Sequence, residues 1–175
     1  MLTIRKAENK DTTEVIELYK KLIDQIKDYK SNPNWKKDIH PSKRYLIESI
    51  SSGDLYVGVL DSKIVSSIVI NHIAGKEFDN VNWNIDIDNK EAYYVHLVAV
   101  DQEYSHRGIA KKMLKFSFKL AKDNNVKSIR LSLNRNNLAI EGLYTKLNFV
   151  LVETVQTYVE NRGTITFNIY EKLIN

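Results

Sequence analysis

The sequence predicts an α/β (α+β) fold built on a mixed, mostly antiparallel sheet of about seven strands, flanked by about four helices. Three observations predict it. Two pairs of strand-like runs, at 55–70 and 149–170, are each joined by a short polar turn, the pattern of an antiparallel hairpin. Between the pairs lie a strand, an amphipathic helix and a second strand, an order that makes the two strands parallel through a right-handed crossover. At 175 residues, 43% hydrophobic and 27% charged, the chain suits a single globular domain spanning 1–175.

Leu2 to Ala7 alternates as an edge strand does. Asp11-Thr12-Thr13-Glu14 has the form of a capping box, opening a helix with Val15, Leu18, Leu22, Ile26 and Tyr29 on one face. Ser31-Asn32-Pro33-Asn34 breaks that helix. Pro41 starts a shorter one whose apolar positions are Tyr45, Leu46, Ile47 and Ile50, and Gly53 ends it. Leu55–Leu60 and Ile64–Ile70 pair about Asp61-Ser62. Gly75 to Asn89 is polar and acidic and is expected to make a long excursion over the sheet. Tyr93–Val100 is a strand. The next helix, from Ile109 to about Asn124, sets Ile109, Met113, Phe116 and Leu120 on one stripe with Ala110, Leu114, Phe118 and Ala121 beside it, wide enough to cover a sheet. Ile129, Leu131 and Leu133 mark a strand, a helix follows from about Asn137 to Leu147, and Phe149–Val159 and Thr164–Tyr170 close the chain as a hairpin.

Composition excludes several classes of function. With no cysteine there is no disulfide, thiolate metal site or cysteine nucleophile. No stretch approaches the ~20 apolar residues of a membrane span, and Met1 to Lys6 leads into polar sequence rather than a signal-peptide core, so a cytoplasmic location and no membrane partner are expected. The net charge is +4. Residues 76–91 carry a net −3 (Glu77, Asp79, Asp86, Asp88 and Glu91 against Lys76 and Lys90), leaving +7 on the remainder. Lysines are spread over several helices and no zinc-finger or RNA-binding signature occurs, so nucleic acid is not the expected partner. His40 and His72 have no neighbouring ligand pattern, and no metal is expected. Trp35 and Trp83 read as packing residues, with an acceptor pocket as the other reading.

The chemistry concentrates at Ser105-His106-Arg107-Gly108-Ile109-Ala110, between a strand and a helix. A glycine there lets backbone N–H groups approach an anion, and the helix dipole adds partial positive charge. From Arg107 to Lys122 there are six cations and no acid. Arg107, Lys111 and Lys112 thus occupy a first turn where carboxylates are preferred, unless an anionic ligand reverses the sign. The Lys-Ser/Thr pair of a P-loop is missing.

These motifs, in this order, resemble the GNAT superfamily of acetyl-coenzyme A dependent N-acetyltransferases. The family's phosphate loop, Gln/Arg-x-x-Gly-x-Gly/Ala, corresponds to Ser105 to Ala110, preceded by Val98-Ala99-Val100 at the strand end. A second pattern, Asn-x-x-Ala-x-x-x-x-Tyr-x-x-x-Gly-Phe, corresponds to Asn136, Ala139, Tyr144 and Asn148-Phe149. Ser105 stands where the family has Gln or Arg. Asn148 stands where it has glycine, and asparagine tolerates the left-handed conformation of a helix end.

The resemblance implies that the two parallel central strands splay, so that the Val98 and Val100 backbone binds the pantetheine arm of acetyl-coenzyme A. It implies that the N–H groups of His106 to Lys111 hold the pyrophosphate, with Lys111 or Lys112 near the outer phosphates, and that Asn136 contacts the cofactor. The Val98 N–H would stabilise the oxyanion formed when a primary amine attacks the thioester directly in a ternary complex. Tyr144 would protonate the departing thiolate, the other reading being that it packs on the Ile140, Leu143, Leu147 face. His96, two residues before Val98 and at a position where related arylalkylamine acetyltransferases carry histidine, would be the base. A packed strand histidine is the rival reading, and Tyr94, Glu91 and the acids of 77–88 are alternative bases. The acidic 76–91 segment, if it overhangs the acceptor cleft, would favour a cationic acceptor. A non-catalytic acyl-coenzyme A sensor on the same fold is the alternative function. The edge of the final hairpin is available for a homodimer.

Overall fold

The computed structural model describes residues 1–26 and 33–175. The expected positions Tyr29, Ser31 and Asn32 therefore lie outside the described residues. Seven strands form one sheet: β1 (Thr3–Lys6), β2 (Leu55–Leu60), β3 (Lys63–Asn71), β4 (Ala92–Val100), β5 (Ser128–Asn134), β6 (Val150–Val159) and β7 (Gly163–Leu173). Its order is β1-β2-β3-β4-β5-β7-β6. Four α-helices accompany it: α1 (Thr12–Gln25), α2 (Lys43–Ser51), α3 (Ile109–Asp123) and α4 (Leu138–Lys146). The expected mixed fold is the one formed. Among the described residues, no helix is long and apolar enough to cross a membrane.

Two compact units make up the chain. The described residues of the first fall in 1–26, 35–70 and 96–116, and those of the second in 33–34, 71–95 and 117–175.

In the first unit, β1 and β2 pair antiparallel, and β2 turns into β3 through Asp61 and Ser62. Both turn residues have positive φ, +50° and +66°, the geometry of a type I′ turn whose twist matches the strands it joins. The core gathers Val15, Leu18, Tyr19 and Leu22 of α1, Leu46 and Ile50 of α2, and Leu55, Val57, Val69, Leu97 and Ala99 from the strands. Trp35 packs against this cluster, edge-on to Tyr19 at 5.2 Å, the packing role expected of it.

Two helix starts differ from expectation. Asp11 does not cap α1 through its side chain. Its carboxylate instead accepts from both terminal nitrogens of Arg5 (2.6 and 2.9 Å) and from the Glu8 N–H (2.8 Å), while Glu14 accepts from the Ile64 N–H at 2.7 Å. A 3-10 turn over Asn9–Asp11 runs into α1, so Asp11 already has helical backbone, and its carboxylate completes a capping box with Glu8 one turn earlier while it pairs with Arg5. α2 begins after Ser42, not at Pro41, because the Ser42 hydroxyl accepts from the Tyr45 N–H at 3.1 Å. Ile47, expected on the apolar face, is 44% exposed.

In the second unit, the parallel ladder joins only Ala92–Val95 to Ser128–Leu131. β7 pairs antiparallel with β5 on one side and with β6 on the other, so β6 is the sheet edge. The 75–89 excursion packs onto strands of this unit: Phe78 and Val81 are buried with Tyr94, Ile165, Phe167 and Ile169. Trp83 lies beside Phe78 (5.9 Å) and under the Arg130 guanidinium, 4.0 Å from its ring.

Candidate functional site

In the first unit, the half of β4 from His96 to Val100 alternates half-buried His96, Val98 and Val100 with buried Leu97 and Ala99. Leu97 departs from extended backbone, with φ +53°. The buried Tyr19 hydroxyl holds this departure in place by donating to the Leu97 carbonyl at 2.7 Å, and burial pushes the Tyr19 pKa up. The sequence pattern gave no sign of this irregularity, because hydrophobic alternation passes through it undisturbed.

After β4, Asp101 donates its N–H to the Val65 carbonyl at 2.9 Å, and its carboxylate receives Lys21 Nζ at 2.9 Å. A short turn over Gln102–Tyr104 follows. The Ser105 hydroxyl bonds back to the Gln102 carbonyl at 2.7 Å, so this side chain serves its own turn. Arg107 lies over the Tyr104 ring at 5.1 Å and donates to the Glu103 carbonyl at 3.3 Å. His106 and Gly108 both have positive φ, +59° and +73°. Left-handed residues alternating with right-handed ones point successive N–H groups toward one side, forming an anion-binding concavity. None of the N–H groups from His106 to Lys111 finds an acceptor among the described residues. The first turn of α3 contains no acid, and Lys111 and Lys112 are exposed there.

A Cβ built at Gly108 meets nothing within 4 Å. The backbone angle, not crowding inside the chain, is what calls for glycine. A row of uncommitted N–H donors, a helix N-terminus and exposed lysines is the donor set that a pyrophosphate needs. The residues present therefore fit the coenzyme.

In the second unit, Asn136 is exposed just before α4, its N–H bonded to the Asn134 side-chain oxygen at 3.1 Å. Tyr144 on α4 is 4% exposed and packs on Phe149 (5.6 Å) and Tyr170 (5.9 Å). Burial pushes its pKa further above the ordinary tyrosine value. Its hydroxyl takes no hydrogen bond among the described residues. Tyr170 next to it is committed: it donates to Glu141 Oε1 at 2.7 Å, and burial with that bond pushes its pKa up to about 12. Asn148 ends α4 with φ +60°, in the role that asparagine was expected to fill.

Of the alternative bases in this unit, Tyr94, Glu91, Glu77 and Asp88 are engaged, whereas Asp79 and Asp86 are exposed and their carboxylates meet no partner among the described residues. Tyr94 donates to Asn89 Oδ1 at 2.7 Å and accepts from Arg130 at 3.2 Å. Glu91 pairs with Lys127, which holds its carboxyl below the usual range. Glu77 accepts from Ser132 at 3.0 Å, and Asp88 faces Lys90 at 3.5 Å. His72 Nδ1 lies 2.8 Å from the Ala92 carbonyl, with its ring 4.7 Å from that of Tyr93.

A residue that sequence reasoning passed over is Arg162, in the β6–β7 turn. It lines a pocket of about 200 Å³ with Asn134, Arg135, Asn136, Thr164 and Thr166. An arginine in a polar turn reads as solvated, and nothing local in the sequence marks it otherwise.

The model of the Acetyltransferase (GNAT) family matches residues 13–149, and the chain belongs to that family. It is similar to an N-alpha-acetyltransferase of Saccharolobus solfataricus, 32% identical over 104 residues that make up 59% of this chain and 60% of that protein. The match thus spans less than two thirds of that relative. Among solved structures, a GNAT family acetyltransferase of Streptococcus agalactiae has TM-score 0.81 and 18% identity, covering 99% of this chain and 96% of the other. The yncA protein of Salmonella typhimurium, solved with its cofactor acetyl-CoA, has TM-score 0.73 and 13% identity, covering 100% and 95%. At these identities the likeness is one of fold.

Proposed function

We propose that the chain is a cytoplasmic N-acetyltransferase that moves an acetyl group from acetyl-coenzyme A to a primary amine by direct attack within a ternary complex. The observation that carries this reading is the run of uncommitted N–H groups from His106 to Lys111, set between two left-handed residues and the lysine-bearing start of α3. Family membership, and the cofactor of the yncA neighbour, support acetyl-coenzyme A as the ligand of that anion site. The name of the Saccharolobus relative supports nitrogen as the acceptor atom.

Acetyl-coenzyme A would supply the activated thioester. The His106–Lys111 amides bind its pyrophosphate, with Lys111 or Lys112 screening the outer phosphates, while Val98, Val100 and Asn136 contact the rest. The Val98 N–H donates to the acetyl oxygen as charge develops there. His96 takes the ammonium proton, directly or through water, at a side chain whose ordinary pKa suits the task.

Tyr144 donates its phenolic proton toward the departing sulfur. Burial makes it a weaker acid than free tyrosine, and a thiol of pKa about 8.5 is already a fair leaving group. Its contribution is therefore set at about one to two powers of ten, the low end for general acid catalysis. The test is free-thiol release from acetyl-coenzyme A across a panel of amines. Release with at least one amine, lost on omission of the amine, is expected; cofactor binding with silence across the panel would make the chain a sensor instead.

A further inference from the structure

The β6–β7 hairpin carries a cation for which the described residues supply no ion-pair partner. Arg162 is half-buried in the turn, its N–H closing onto the Val159 carbonyl at 3.0 Å, with Asn161 and Gly163 on either side at positive φ (+61° and +81°). Its guanidinium makes one long contact, 3.4 Å to the Asn34 carbonyl. No ion pair reaches it among the described residues; Glu77 acts on it only from a distance and is bonded to Ser132. Desolvation accordingly pushes its pKa down, a cost that a buried cation recovers by meeting an anion.

The surroundings match that need. The pocket of about 200 Å³ is lined by the exposed Arg135 and by Asn136, Thr164 and Thr166, and among the described residues no carboxylate lines it. Planar guanidinium groups bind carboxylates in two-point fashion, and asparagine and threonine side chains complete the remaining lone pairs. Asn136, which the proposed function assigns to the cofactor, also lines this pocket.

We propose that this pocket binds the carboxylate of the acceptor, so that the amine acetylated belongs to an amino acid. The inference rests on the acetyltransferase reading for the ligand's role as acceptor. It departs from the expectation, drawn from the acidic 76–91 segment, that the acceptor is cationic: three of that segment's five acids are bonded to Ser132, Lys90 and Lys127. A polyamine, or a peptide with no acidic group near its amine, offers the arginines no carboxylate.

The test uses the whole chain, the common amino acids and their matching carboxamides. Binding is read by calorimetry with free coenzyme A present, and turnover by thiol release. At least one amino acid is expected to bind about ten- to a hundredfold more tightly than its carboxamide, the range of a hydrogen-bonded charge pair. Arg162→Ala collapses that preference toward unity and Arg162→Lys retains part of it. No preference for any acid over its amide, or a preference that survives Arg162→Ala, would overturn the proposal. So would a loss in Arg162→Ala confined to acetyl-coenzyme A affinity, which would assign the arginine to a cofactor phosphate. Failure of the acetyltransferase reading looks different: carboxylate-dependent binding persists while no amine releases thiol.

Discussion

Arg130 and Glu171 form an ion pair at 3.0 Å, with each residue only 1% exposed. Glu171 also accepts from the Ser128 hydroxyl at 2.8 Å and from the Asn84 N–H at 2.9 Å. Arg130 donates to the Ile85 carbonyl at 3.1 Å and stacks on Trp83. A buried pair recovers its desolvation cost only when its remaining donors and acceptors are bonded as well. Residues 83–85 provide those bonds, so the pair fastens the acidic excursion to β5 and β7.

Removing either partner strands the other in a dry site. Arg130→Met and Glu171→Gln are each expected to cost about 3–5 kcal/mol of unfolding free energy. The double replacement Arg130→Met with Glu171→Leu should cost clearly less, since no charge is left uncompensated. Denaturant unfolding of the three variants checks this, and single losses no larger than the double would refute the coupling.

Asp11 gives a pH signature. Its bonds to Arg5 hold the carboxyl below its ordinary value. A carboxylate depressed in the folded state adds stability above its unfolded pKa, about 3.9, and loses it as pH falls through the lower folded value. Asp11→Asn is therefore expected to cost about 1–3 kcal/mol near neutrality, and this difference should shrink only below about pH 4. Urea unfolding of both proteins between neutral and acid pH measures it; a gap that stays constant on acidification would exclude the ion pair as its source.

The sequence made the framework legible where a pattern repeats. The strands and helices follow from hydrophobic period, and Asn148 from the rarity of residues that accept positive φ. What it hid depends on partners far along the chain. Asp11 reads as the cap of α1 and gives no sign of its pairing with Arg5, and Arg162 looks solvated until Arg135 and the Asn134–Asn136 turn gather around it. Leu97 hides its left-handed backbone because the force holding it is a tyrosine hydroxyl 78 positions away. The site motif was readable as a string; the burial that raises the Tyr144 pKa was not.

Tyr144→Phe removes one hydroxyl that bonds to nothing among the described residues, so the fold should be unaffected. The expected result is kcat lowered about ten- to a hundredfold with the acetyl-coenzyme A KM unchanged. Because burial raises the tyrosine pKa, kcat in the native enzyme should not fall on an alkaline limb below pH 10, where free tyrosine titrates. Steady-state rates of thiol release test both; a variant as fast as the native enzyme would reduce Tyr144 to a packing residue.

Gly108 separates backbone strain from ligand approach. Its φ of +73° disfavours any side chain, but a Cβ there meets nothing within the chain. Gly108→Ala should lose about 1–2 kcal/mol to the left-handed conformation, whereas Gly108→Asn, which tolerates that region, should unfold close to the native midpoint. If the His106–Lys111 amides hold the pyrophosphate as proposed, both substitutions add a Cβ beside them, in space that the chain itself leaves open. Both are therefore expected to weaken acetyl-coenzyme A binding by about tenfold or more, one ordinary charge-assisted hydrogen bond's worth. Calorimetry gives the affinity and denaturant melts give the stability. If Gly108→Asn bound the coenzyme as tightly as the native chain, close approach at this glycine would play no part, and the turn would need glycine only for its own geometry.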